Sequence, residues 1–195
     1  MALFFENEEK QMAENKVQFN LKNVYYAPLT EGTTPTWTTP VAMPGAVNLS
    51  LSANGELTPF YADGIVYYSS VSNNGYEGDL ELARVPDSFL TAICGMTLGS
   101  TSKVITERST DTPVPFALLF QIDGDSTEQC YCLYKCTATR PQLASATNTE
   151  TKEPQTQTLS IASVPLADGR VLARTTDQCA TATITGWFST VFQES

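Results

Sequence analysis

Hydrophobic positions recur along this chain with a period of two, the spacing of strands that bury one face. Val17, Phe19 and Leu21 alternate with Lys16, Gln18, Asn20 and Lys22, and Val47, Leu49 and Leu51 alternate with Asn48, Ser50 and Ser52. Tyr76, Leu80 and Leu82 share one face of a predicted strand whose other face carries Glu77, Asp79 and Glu81. Phe116, Leu118, Phe120 and Ile122 form a further stripe, and Asp123-Gly124 is a hairpin signal before a strand from about Thr127 to Thr139. Gln157, Leu159 and Ile161 continue the pattern, followed by Val171 and Ala173 after an Asp168-Gly169 turn. The run Ile65–Val71 is β-branched and aromatic with little alternation, the pattern of a strand covered on both sides.

Helical signals are fewer. Pro86-Asp87-Ser88 before Phe89–Ile93, with Gly95 as a stop, predicts a short helix. Ile184, Trp187, Phe188 and Val191 fall at helical spacing within Asp177–Phe192, although the threonines there favour strands. Thr30–Thr39, Ser52–Gly64, Ser100–Pro115 and Ala144–Pro154 read as loops, none of them long enough to separate two domains. The fold class expected is therefore mainly β: two packed antiparallel sheets in a barrel-like sandwich, with one short flanking helix and room for a second near the C-terminus. Residues 14–195 are expected to form one domain behind a flexible extension or leader, 1–13.

Composition narrows the function. The chain has 195 residues, 42% of them hydrophobic, enough for a real core. No apolar run approaches the roughly 18 residues of a membrane span. Met1-Ala2-Leu3-Phe4-Phe5 is followed by Glu6, Glu8 and Glu9 and lacks the basic start and longer apolar stretch of a secretory leader. The expected compartment is a cytoplasm, or something assembled there. Twenty-one acidic against 11 basic residues give a formal charge of −10, which disfavours grasping nucleic acid. The basic residues are scattered singly, with no stripe to follow a phosphate backbone. Histidine is absent, which removes the commonest general base and argues against an enzyme.

Candidate chemistry is sparse. Cys130, Cys132 and Cys136 resemble a metal cluster in spacing. On a strand, however, positions i and i+2 lie about 6.7 Å apart and i and i+6 about 20 Å apart. Thiolates sharing a zinc each lie about 2.3 Å from it. Buried thiols of a reducing compartment fit better. Asp123-Gly124-Asp125-Ser126 opens like a calcium loop, but its sixth and twelfth positions are Glu128 and Tyr134 rather than Gly and Glu. No phosphate loop, dinucleotide fingerprint or nucleophile elbow occurs. No cofactor, metal or catalytic residue is expected.

The acidic stripe is the most informative charge feature. Glu77, Asp79 and Glu81 sit about 7 Å apart on one strand face, inside the roughly 8 Å screening length at physiological salt. They repel one another unless cations such as Lys16, Lys22 or Arg84 relieve them. The stripe is expected to be a solvated outer face, a subunit contact, or a wall that must not bind polyanions.

A series of segments in order resembles one family. They are Asn15-Lys16-Val17 with Leu21-Lys22-Asn23-Val24-Tyr25-Tyr26-Ala27, Pro44-Gly45-Ala46-Val47, Pro59-Phe60-Tyr61-Ala62-Asp63 and Ser72-Asn73-Asn74-Gly75-Tyr76-Glu77-Gly78-Asp79-Leu80. Pro115-Phe116-Ala117-Leu118-Leu119-Phe120, Tyr134-Lys135-Cys136-Thr137-Ala138-Thr139-Arg140-Pro141 and Glu153-Pro154-Gln155-Thr156 follow. In this order, from about Asn15 to Phe192, the chain resembles the major tail protein family of long, non-contractile-tailed bacteriophages.

The resemblance implies hexameric rings stacked into a tube through which genomic DNA leaves the capsid, in a virion tail assembled in the host cytoplasm. It implies partners that are other copies of the chain, with tape-measure and terminator proteins beside them, and DNA that passes without specific binding. It carries over no catalytic residue. A loop or hairpin bridging rings is implied. Ser52–Asp63, with Asn54, Glu56, Phe60, Tyr61 and Asp63, is the first candidate and Ala144–Pro154 the second. Met1–Gln11 precedes Met12-Ala13-Glu14-Asn15, itself like a start, and no surface-decorating domain is expected after the pattern. Two other readings stand beside this one. The first is a different virion or injection-tube component of the same fold. The second is a carbohydrate-binding adhesion module, for which Trp37 is the available aromatic platform.

Overall fold

The structure is a computed structural model that describes residues 15–147 and 154–194; Met1–Gln11 lies outside them and the Ala144–Pro154 loop partly outside. The chain opens with β1 (Gln18–Thr30), the short β2 (Thr36–Trp37) and β3 (Val41–Ala42), then β4 (Ala46–Ala53), β5 (Leu57–Ala62), β6 (Ile65–Val71) and β7 (Tyr76–Leu82). Helix α1 (Asp87–Ala92) and the short β8 (Thr97–Leu98) and β9 (Ile105–Thr106) lead to β10 (Phe116–Gly124) and β11 (Glu128–Ala138). β12 (Gln157–Ser163), β13 (Leu172–Arg174) and helix α2 (Thr181–Gly186) complete it.

Among the described residues one large antiparallel sheet runs β2–β1–β10–β11–β12–β7–β4, with β3 beside β1 and β13 beside β11. Its halves face each other across one core, so the fold is the mainly β sandwich expected. The sheet curls without closing into a barrel: no pairing joins β1 to β4.

The core follows from the alternation read in the sequence. Leu80, Leu82, Phe116, Leu118, Leu133, Leu159 and Ile161 are all buried in one cluster. Helix α1 plugs its end, with Phe89 packed edge-on to Tyr26 and Phe116 at centroid distances of 5.1 and 5.4 Å. The opposite face of β1, β10 and β11 buries a second cluster of Ala27, Leu119, Cys130, Cys132 and Tyr134 under Trp187 and Val191. The C-terminal helix is limited to six residues, and the apolar residues beyond it pack without continuing it.

β1 changes phase at Asn23. Lys22 pairs with Gln121 and Tyr25 with Leu119, so β1 carries an extra residue there. Asn23 takes a left-handed conformation (φ 53°) and its amide donates to Gln121 Oε1 at 2.7 Å. This bulge moves the inward set from Leu21 to Val24 and Tyr26.

Candidate functional site

Three surfaces of this sandwich have the character of contact sites. The first is the β5–β6 hairpin. Leu57 pairs with Val71, Thr58 with Ser70 and Phe60 with Tyr68, and a bulge at Tyr67 separates these from Tyr61–Val66 and Ala62–Ile65. Asp63 and Gly64 both have positive φ, 52° and 78°, as a two-residue type I′ turn requires. At the stem the Asn54 amide donates to Gly75 O at 2.8 Å and the Ser72 amide to Glu56 O at 3.0 Å, which extends the β4–β7 ladder outward.

Among the described residues nothing covers this hairpin. All seven residues of β6 are exposed, including Ile65, Tyr67 and Tyr68, and so are Phe60 and Tyr61 on β5. The expectation of a doubly covered strand at Ile65–Val71 is therefore overturned for the single chain, as is the reading of Ser52–Gly64 as loop. The five candidate residues Asn54, Glu56, Phe60, Tyr61 and Asp63 all lie on the hairpin or its stem. Its second strand matches the run expected at Ile65–Val71, but its first, β5, was read as loop, although Asp63-Gly64 between apolar runs was the signal for a hairpin. A two-stranded hairpin is marginal in water by itself.

The second surface is acidic. Glu77 and Asp79 are exposed and Glu81 is half-buried on the outward face of β7. Register places Ser52, Ser50 and Asn48 of β4 beside them on one side and Ala162, Ser160 and Thr158 of β12 on the other. Ser160 donates to Asp79 Oδ1 at 2.7 Å, and Thr156 donates to Glu81. Of the cations that could have neutralised the stripe, Lys22 pairs with Asp123 and Glu128, and Arg84 with Asp87. Among the described residues no ion pair reaches Glu77, Asp79 or Glu81. A side chain at Gly78 would collide with the Ser50 carbonyl, so glycine lets β4 and β7 lie flat beneath the carboxylates.

The third surface is a cleft of about 750 Å³ where the sheet fails to close. β1 lines one wall with Phe19 and Leu21, and β4 lines the other with Val47, Leu49 and Leu51. Alternation predicts buried faces for both stripes, yet Phe19 is 68% and Val47 54% exposed. Among the described residues the facing strand edges are also unpaired: β4 pairs only with β7, and β1 from Gln18 to Lys22 pairs only with β10. Arg174 is the only charged side chain among the described residues lining the cleft.

The cysteines are divided between layers. Cys130 and Cys132 belong to the cluster under Trp187, whereas Cys136 faces the main core. Burial pushes the Cys130 thiol up to about 11 and the Cys136 thiol to about 12. No group of three or more acidic, cysteine or histidine side chains among the described residues is arranged to hold a metal ion. Trp37 is half-buried, its indole N–H donating to Tyr134 O at 3.0 Å. No helix of the described residues is long and apolar enough to cross a membrane. Neither a protein-family model nor a curated protein matches the chain.

Proposed function

We propose that this chain is the building block of a phage tail tube. Copies form hexameric rings, and the rings stack head to tail around a channel for genomic DNA. On this reading the protein is structural, has no catalytic role, and resides in the virion tail after assembly in the host cytoplasm. Its partners are further copies of itself, with tape-measure and terminator proteins at the ends of the tube.

The observation that carries the reading is the uncovered β5–β6 hairpin. A single chain has no use for so many apolar side chains in water, whereas a repeated neighbour would cover them. Burying each Phe, Val or Ile is worth about 1.5–3 kcal/mol. The acidic stripe supports it independently. DNA carries one negative charge per roughly 1.7 Å of axis, so a wall that holds carboxylates without counter-cations keeps water between itself and the sliding polymer. Free edges at β1 and β4, an aggregation hazard in a monomer, suit a protein made to associate.

Negative-stain electron microscopy of the purified protein over a range of concentrations tests the reading. Rings or tubes are expected. A persistent monomer that binds immobilised glycans would replace it with the adhesion module.

A further inference from the structure

The hairpin and the cleft are complementary, and each lacks what the other has. The hairpin tip is apolar and acidic: Tyr61 and Val66 flank the Asp63-Gly64 turn, and no Lys or Arg occurs between Ala53 and Ala83. The cleft is apolar and basic: its walls are the β1 and β4 stripes, with Phe19 and Val47 exposed, and its one charge among the described residues is Arg174. Arg174 is exposed and makes no ion pair among the described residues. No hairpin residue lines the cleft of its own chain among the described residues. The hairpin prolongs the β4–β7 ladder away from it by about 20 Å, the length of six strand residues.

We propose that the tip of the β5–β6 hairpin seats in the β1–β4 cleft of a second copy of this chain, with Asp63 of one copy paired to Arg174 of the other. The contact is heterologous, so each copy offers one tip and one cleft, and the series propagates without closing on two. Phe60, Tyr61 and Val66 cover Phe19 and Val47, which supplies the burial that alternation predicts for these positions. The free edges of β1 and β4 offer backbone donors and acceptors to the incoming ribbon. This inference rests on the self-assembly reading and names the two surfaces that meet.

A charge exchange tests it. Asp63→Arg places a cation opposite Arg174, and Arg174→Asp places a carboxylate opposite Asp63. Each variant alone is expected to raise the concentration needed for assembly by about tenfold or more. Mixing the two restores assembly, because every tip then finds an opposite charge, and the D63R/R174D double variant assembles near the wild-type concentration. Unchanged melting curves and rescue on mixing show that the variants are folded. Single variants that assemble like the wild type, or a mixture that fails to recover, overturn the tip-in-cleft contact and leave self-assembly standing. In that event, binding of the dye ANS lost on Val47→Lys would assign the cleft to a small apolar ligand. A wild-type chain that never associates overturns both readings.

Discussion

Phe60 and Tyr68 stand directly opposite each other across the β5–β6 ladder, 60% and 63% exposed. An aromatic pair in this register gains from its mutual contact, but in the single chain most of both rings remains in water. Replacing both with serine is expected to abolish higher-order assembly. Stability of the monomer should change by no more than about 0.5 kcal/mol per site, as for other exposed positions. Sedimentation velocity reads the first effect and thermal melts the second. Full-length tubes from the double serine variant would remove the hairpin from the assembly contact.

The acidic stripe gives a separate prediction. Changing Glu77, Asp79 and Glu81 to lysine removes three negative charges, adds three positive ones and moves the formal charge from −10 to −4. Two of the three side chains are exposed, so the monomer should fold. Infectivity should fall, and the variant should bind double-stranded DNA with an affinity that drops steeply as salt rises. Wild-type tube yield and infectivity in this variant would show that the stripe faces no DNA.

Asn15 and Asp177 fasten the start of the domain to its C-terminal segment. The Asn15 backbone amide donates to Asp177 Oδ2 at 3.0 Å and its side chain to Oδ1 at 3.1 Å. The Asn15 side-chain oxygen also accepts the Ser126 and Thr127 amides at 2.9 and 2.8 Å, locking the β10–β11 turn. Asn15→Ala should cost about 1–3 kcal/mol, since it strands several part-buried partners. The Asn15 amide, with Gln129 and Thr127, holds the Asp177 carboxyl below the usual carboxylate range. Its contribution is therefore complete above the unfolded value of about 3.9 and is lost as the pH falls from there through the folded value. Urea unfolding midpoints should show a loss of stability below about pH 4 that is reduced in Asp177→Asn. An acid profile identical to that of the wild type would contradict the role of this carboxylate.

Thiol labelling separates the cysteines by burial. Cys94, Cys130, Cys132 and Cys136 are buried, and desolvation raises each thiol above its ordinary value. Cys179 is half-exposed. At neutral pH one equivalent of a thiol reagent should react quickly with the native protein, and Cys179→Ser should remove it. The other four should appear only on unfolding. Several fast-reacting thiols in the native state would contradict this packing.

The core strands were legible because their two faces meet different surroundings within one chain. Leu80, Leu118 and Leu159 meet the core, whereas Asp79 and Ser160 meet water, and period two records the difference. Helix α1 was legible from Pro86 and Gly95 flanking Phe89. The phase change at Asn23 was hidden, because a bulge shifts a stripe by one residue and leaves no break in composition. Ile65–Val71 misled for a different reason. Its composition specifies a covered strand, and among the described residues nothing covers it. Phe19 and Val47 share that property, and all three apolar surfaces remain open together. The acidic stripe was visible as spacing, but its lack of counter-cations depended on where Lys22 and Arg84 point.

Cryo-electron microscopy of the assembled protein measures the arrangement itself. The account predicts stacked hexameric rings in which β5 and β6 are buried between copies and Glu77, Asp79 and Glu81 face the channel. Solitary chains at every concentration, or a channel lined mainly by lysine and arginine, would contradict it.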